Sequence, residues 1–215
     1  MLPKNDLNPP SSSAGQRLLI GMDVGGTKIG GLAVEENGRV RARIQTTTDT
    51  RSATHSVESI LNAIRQVFAA AKAAPEEVLA IGLGIPGKIQ DGRVHLAVNL
   101  KLENYPLADT LAEIYPFPIA LENDVRTAAL GAYQWCQTEI PVENLVYLSI
   151  GTGIAAGVIL QGKLFRGSHG MAGEVGHICI DPDGPRCNCG AFGCLEALAA
   201  GPAIALHGIQ AIESG

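Results

Sequence analysis

The chain has 215 residues, 46% of them apolar, and a formal net charge of −5. That composition supplies a buried core for one sizeable domain or two small ones and excludes a disordered chain. With no block of Lys or Arg, a surface built to neutralise nucleic-acid phosphates or anionic lipid is not expected, and small molecules are the partners it suits.

Residues 1–16, "MLPKNDLNPPSSSAGQ", are rich in Pro, Ser and Asn and lack the apolar run of a secretory signal, which predicts a loose tail on a cytoplasmic protein. No stretch nears the roughly 18 apolar residues of a membrane span. The segment "LLIGMDVGGTKIGGLAV" then reads as strand, Gly-rich turn and strand, and "ENGRVRARIQT" adds an Asn-Gly turn and a third strand. A meander of this kind separates "DVGGTK" from the dinucleotide fingerprint and the P-loop, both of which place their glycines at a helix N-terminus. In a hairpin, Gly25 and Gly26 let backbone N–H groups approach an anion, Thr27 offers a hydroxyl and Asp23 can face a hydrated magnesium ion. The alternative reading of Gly-Gly is an ordinary turn.

From Ser52 to Ala74, the spacing of Val57, Ile60, Leu61, Ile64, Val67 and Phe68 predicts a helix that Pro75 ends. The apolar strand "VLAIGLGI" comes next and runs into Pro-Gly; "PLADTLAEIY" predicts a second helix and "PIALEN" a strand. This order implies a mixed sheet covered by helices, with ligand sites in the loops at strand ends. Asn123 and Asp124 stand at one such end, where a new helix begins, so Asp124 is either a helix N-cap or a carboxylate that acts on a ligand. "NLVYLSIGTGIAAGVIL" repeats the hairpin logic, with Gly151, Thr152 and Gly153 at the turn. Two Gly/Thr turns suit two ends of a polyphosphate, with the carboxylate between them.

Four of the five cysteines lie between Glu174 and Gly201. An odd total and the absence of a secretory signal argue against a disulfide framework. His177, Cys187, Cys189 and Cys194 form a ligand set for tetrahedral zinc; "DPDGP" can turn the chain back, and Gly190 and Gly193 permit a tight loop. Four protein ligands leave no open position, so such a zinc is structural. The alternative is ordinary buried thiols. Cys179, in "HICI", is expected in a core strand, and Cys136 in the core. Glu174 and Glu196 flank the ligand set, either fixed by the metal loop to accept hydrogen bonds from a polyol or solvated on the surface.

Taken together and in this order, "DVGGTK", "GIPG", "ENDVRTAALG", "GTGIAAG" and "GEVGHICIDPDGPRCNCGAFGCLEALAAG" resemble the ROK family of sugar kinases and sugar-responsive repressors, from about Leu18 to the end of the chain. The resemblance implies an α/β, actin-like ATPase (ribonuclease H-like) fold of mixed β-sheets covered by helices. Its two domains would be an N-terminal one over residues 17–135 and the start of a second over 136–215 that carries the zinc loop and is incomplete.

Similarity to the glucokinase-like members implies ATP-dependent phosphorylation of a hexose at its 6-hydroxyl, with magnesium and structural zinc as cofactors and a homodimer for a full-length form. Asp124 would be the general base; Asn99, Asn123, Asp124, Glu174, His177 and Glu196 would contact the sugar. Asp23, Gly25, Gly26, Thr27, Lys28, Gly151, Thr152 and Gly153 would serve the ATP phosphates. His177 would also ligate zinc through its other nitrogen. The alternatives are a sugar-binding or sugar-sensing regulator lacking a DNA-binding module, and a kinase for an N-acetylated hexosamine or fructose. Ala155 and Ala156 stand where family members commonly carry glycine, which would restrict backbone approach if a positive φ were needed. The last helix-like run, "PAIALHGIQAIESG", is expected to present an uncovered apolar face beside an unpaired sheet edge. A chain of this extent is therefore expected to associate, to bind hexose, and to bind ATP poorly.

Overall fold

Strict alternation in Leu18–Val24 (β1) buries Leu18, Ile20, Met22 and Val24 on one face, which is what a half-covered strand requires. Lys28–Glu35 (β2) and Val40–Thr47 (β3) complete the antiparallel meander through the expected turns. Residues 17–214 are described in this computed structural model; the tail expected over 1–16 lies outside the described residues.

Helix α1 (Ala53–Ala71) returns across the buried face of the meander. Ser52 caps its first turn by accepting the His55 N–H, and Lys72 ends it in a left-handed conformation before Pro75. Of the predicted stripe, Val57, Ile60, Ile64 and Val67 are buried, joined by Ala63, while Leu61 and Phe68 are partly buried at its margin; the stripe packs into the same core as Ile20, Ile29, Ile81 and Leu83. Val78–Ile85 (β4) pairs parallel with β1.

Between β4 and the next helix lies a sheet that the sequence pattern does not announce. Lys88–Gln90 (β5), Arg93–Ala97 (β6) and Leu102–Tyr105 (β7) form a separate three-stranded antiparallel sheet. Strands of three to five residues carry almost no periodicity, but "QDGR" held a local signal: Asp91 and Gly92 both have positive φ, 50° and 72°, as a two-residue hairpin turn demands.

Helix α2 (Leu107–Ala112) is shorter than "PLADTLAEIY" suggests. Ile119–Asn123 (β8) pairs parallel with β4, giving a five-stranded sheet of order β3-β2-β1-β4-β8. Helix α3 (Asp124–Glu139) starts directly at the end of β8 and packs against β9 (Leu145–Ile150) and β10 (Ile154–Leu160). With β11 (Lys163–Leu164) these form the third, antiparallel sheet. After the cysteine loop come α4 (Leu195–Ala199) and α5 (Gly201–Glu213), and Ile204, Leu206, Ile209 and Ile212 of α5 are exposed, as expected for an uncovered face. No helix among the described residues is long and apolar enough to cross a membrane.

Two expectations about cysteine are corrected. "HICI" is not a core strand: Ile178, Cys179 and Ile180 are exposed, because a 3-10 turn at Val175–His177 and the turn at Asp181–Gly184 leave too few residues to pair beyond an isolated bridge to Cys194. Cys136 is half-buried on α3 and outside the core.

Contact between α1 and the meander is closest at Gly31, where an added Cβ would lie 2.5 Å from Val67 Cγ2 and 3.1 Å from both Ile44 and Met22. Val67 is β-branched and has little rotamer freedom within a helix, so it cannot swing away. Gly31→Ala should therefore cost about 1–3 kcal/mol through overpacking. A denaturant midpoint unchanged from the parent chain would contradict this.

Candidate active site

Parallel pairing of β1, β4 and β8 brings three loops to one sheet edge, with Asp23 opposite Gly84 and Ile85 opposite Asn123. The first loop is the hairpin after β1. The Gly25 N–H closes it on the Lys28 carbonyl at 2.9 Å, and the Thr48 hydroxyl donates to the Gly25 carbonyl at 2.7 Å, tying the turn to the end of β3. A Cβ at Gly26 would stand 2.9 Å from that of Asn99, so glycine there is what lets Asn99 come up beside the turn. Asp23 ends the exposed face of β1, and the side chains of Thr27 and Lys28 are exposed at the hairpin.

At the end of β8, the N-cap of α3 is Asn123 and not Asp124. The Asn123 Oδ1 accepts the Arg126 N–H at 3.1 Å, while its Nδ2 donates to the Gly87 carbonyl at 3.1 Å. Asn123 thus fastens the "GIPG" loop to the helix start, a link that the motif did not reveal. Asp124 is freed from capping. Its Oδ1 accepts the adjacent Val125 N–H, at 2.9 Å. Burial pushes the Asp124 carboxyl above its ordinary range, and the negative charge of Asp23 adds to the effect, while the Val125 N–H opposes it.

The second turn lies between β9 and β10. The Gly151 N–H donates to Gly153 and the Gly201 N–H to Gly151, at 2.9 and 2.8 Å. Glu196 reaches it from α4, its Oε2 accepting the Ile154 N–H at 2.9 Å, and an added Cβ at Gly153 would lie 2.6 Å from that oxygen. Ala155 and Ala156 pair with Ser149 and Leu148 within β10, and neither has positive φ. The restriction expected at these two positions therefore does not arise.

Around the cysteine loop, the potential ligand atoms of His177, Cys187, Cys189 and Cys194 all lie within 4.8 Å of one another. Cys187 Sγ is 3.8 Å from His177 Nδ1, and Cys189 Sγ is 3.7 Å from Cys194 Sγ. Zinc–sulfur bonds of about 2.3 Å put the edges of a tetrahedron at about 3.8 Å, so the residues present fit zinc. The thiols also conflict without a cation. Burial, and then the neighbouring Cys189 and Cys187, push Cys194 up to about 12, whereas the Ala191 N–H and then Cys187 draw Cys189 down. Gly193 is what allows the loop to close: its φ is +63°, and a Cβ would fall 1.4 Å from the Asp181 carbonyl oxygen. His177 turns Nδ1 to the cysteines and leaves Nε2 3.9 Å from Glu174 Oε2.

These loops meet around one cavity of about 390 Å³. Gly25, Gly26, Asn99, Asn123 and Asp124 line one side; Gly151, Thr152, Gly153, Glu174, His177 and Glu196 line the other. Asp23, Thr27 and Lys28 are not among its lining residues. Pro86, Gly87 and Ser149 are, and no role was expected for them. The Pro-Gly that stops the apolar run of β4 was the available signal, because a breaker after a buried strand marks a loop at the sheet edge.

The sequence pattern of the ROK family matches residues 19–211. A glucokinase of Streptomyces coelicolor is 34% identical over 195 residues, which are 90% of this chain and 59% of the relative. The crystal structure of a ROK family glucokinase from Streptomyces griseus in complex with glucose and AMPPNP is 33% identical, with a TM-score of 0.77 over 92% of this chain and 62% of the other. A ROK family transcriptional regulator, homolog of the E. coli MLC protein, gives a TM-score of 0.80 at 29% identity, over 93% of this chain and 50% of its own. The chain spans about three fifths of the length of the kinases it matches. With the pattern covering nearly all of the described residues and sheets arranged as in these relatives, the chain belongs to the ROK family.

Proposed function

We propose that this chain carries the sugar site and the phosphate turns of an ATP-dependent kinase that phosphorylates a hexose at its 6-hydroxyl. The observation that carries this reading is the shared cavity. A half-buried carboxylate, a polar wall of Glu174, His177 and Glu196, and residues of both glycine turns line the same 390 Å³. Phosphoryl transfer asks a protein chiefly for positioning and charge stabilisation, and each of these parts supplies one or the other.

In this reading Asn99, Glu174, His177 and Glu196 hold the ring hydroxyls. Glu196 has one oxygen committed to the Ile154 N–H, so its other oxygen is the one turned to the sugar. Asn123 has one amide hydrogen and one lone pair left after its two backbone bonds, and it acts mainly by fixing Asp124 beside the sugar. Asp124 accepts the proton of the 6-hydroxyl as that oxygen bonds to the γ-phosphorus and the bond to the ADP oxygen breaks. The two turns direct N–H groups at the phosphate oxygens, with Thr27, Lys28 and Thr152 beside them. Magnesium, when bound near Asp23, would supply neutralising charge for the phosphates. Zinc held by His177, Cys187, Cys189 and Cys194 fixes the wall that carries both glutamates.

The likeness to a transcriptional regulator favours a second reading, a sugar sensor that uses the same cavity without turnover. A coupled ADP-release assay across a hexose panel, with ATP and magnesium, separates the two. Turnover of at least one hexose supports the kinase, and calorimetric binding of both sugar and ATP with no ADP release supports the sensor.

Two further outcomes are expected. Asp124→Asn should lower turnover by about 10²- to 10⁴-fold while leaving hexose affinity within a few-fold. Because Asn123 provides the cap, a large loss cannot be ascribed to an uncapped helix. Since the base must be ionised and its folded value is raised, turnover of the parent chain should fall as pH drops through a midpoint above the ordinary aspartate value of 3.8. An Asp124→Asn variant as fast as its parent would refute the assignment. Chain purified without chelator should contain close to one zinc, and stripping it should weaken hexose binding together with thermal stability. Metal analysis that finds none would remove the zinc from the scheme.

A further inference from the structure

The wall bearing Glu174 is reached by a loop, residues 165–173, and one buried cation on α3 holds that loop. We infer that Arg126 is a positioning residue for the sugar site, fixing the separation between the face that carries Asp124 and the face that carries Glu174 and His177. The inference rests on the hexose reading above and extends it to a residue outside the cavity.

Arg126 is 4% exposed and is not among the residues lining the 390 Å³ cavity. Its position is set by the chemistry already described: Asn123 caps α3 through the Arg126 N–H, so the side chain leaves the helix two residues after Asp124. The guanidinium then donates in two directions. Nη1 faces Glu122 Oε1 at 3.4 Å, and Nη2 donates to the carbonyls of Gly170 and, at 3.3 Å, Ala172. Glu122 is itself committed: its Oε1 accepts the Asn123 N–H at 2.9 Å and its Oε2 the Arg166 Nε at 2.6 Å. Arg166 lies at the start of the same loop, and its carbonyl accepts the Ala172 N–H at 3.1 Å. One cation and one carboxylate therefore grip the loop at both ends from the strand and helix that present Asn123 and Asp124.

Beyond the grip the chain has little freedom. The Gly173 carbonyl accepts the Ala156 N–H at 2.7 Å, and Glu174 is the next residue. Gly170, whose carbonyl Arg126 holds, and the adjacent Met171 wall a neighbouring cavity of about 410 Å³ together with Glu174 and His177. A guanidinium is the group for this task, because its planar fork addresses two carbonyls and a carboxylate at the same time, and a buried cation needs all of them satisfied. Its loss would leave the Gly170 and Ala172 carbonyls without this donor and Glu122 with only the Asn123 N–H and Arg166, and the loop would seek water instead.

The test uses the full chain and the variants Arg126→Met, Arg126→Lys and Arg166→Gln. It reads amide hydrogen exchange over residues 166–174, calorimetric hexose and nucleotide affinity, and zinc content. Arg126→Met should accelerate exchange in that loop while leaving α1 and the meander protected, and should weaken hexose binding about 10- to 100-fold, the range for lost charge-assisted hydrogen bonds. Nucleotide affinity should shift less than about threefold, which a general loss of folding would not allow. Arg126→Lys, with one donor head, should restore part of the hexose affinity. Arg166 is 57% exposed, so Arg166→Gln should fold, and should raise loop exchange to a smaller degree even where Arg126→Met proves too unstable to isolate. Unchanged loop exchange in the variants that fold overturns the inference, as does wild-type hexose affinity in Arg126→Met. If the parent chain binds no hexose, the proposed function fails, whereas the exchange measurement still decides whether Arg126 holds the loop.

Discussion

Everything at the site depends on the parallel pairing of β1, β4 and β8. Because the three strands run in the same direction, their C-terminal ends fall on one edge of the sheet. The hairpin after β1, the "GIPG" loop after β4 and the start of α3 after β8 must then share one small volume. The core enforces the register: a one-residue slip would turn Ile20, Met22, Ile81 and Leu83 away from α1. Asn123 converts this juxtaposition into a rigid joint, since one short side chain bonds both the helix start and the neighbouring loop. The acidic side chain next to it gains its environment from the joint: partly withdrawn from water, near a second carboxylate, and supported chiefly by the Val125 N–H.

The wall of the cavity that carries Glu174, His177 and Glu196 is tied together by local contacts: four metal-competent donors within 4.8 Å, the left-handed Gly193, and Glu196 bonded across to the Ile154 N–H. Through Glu196 this wall and the second glycine turn become one mechanical unit. A loop organised around His177 and three thiols thereby bears on both parts of the cavity.

How much of this was legible in the sequence depended on the kind of signal. Long periodic elements were, because α1 and β1 bury enough apolar surface for the pattern to repeat. The cysteine loop was legible through ligand type and spacing. The cavity's residues could be named because the glycine turns and acidic motifs occur in an order that a known family shares, whereas their convergence depends on pairings between distant strands that no local pattern encodes. Three features were hidden for specific reasons. The sheet β5-β6-β7 consists of strands too short for a period, with only Asp91-Gly92 to mark it. "HICI" alternates like a strand but pairs no further than an isolated bridge between Cys179 and Cys194. Asn123 and Asp124 are both good caps, and only the geometry shows that the first takes the task and leaves the second free.

The contact between Gly153 and Glu196 has a consequence for how this sequence can change over time. The two residues are far apart in the chain, yet one carboxylate oxygen occupies the space that any side chain at 153 would need. That oxygen is the end of a flexible side chain, so a side chain at 153 would push the Glu196 carboxylate aside and break its bond to the Ile154 N–H. A lineage that changes the glycine while keeping the glutamate therefore gives up this link between the turn and the metal loop, whereas one that first shortens the glutamate has already lost it.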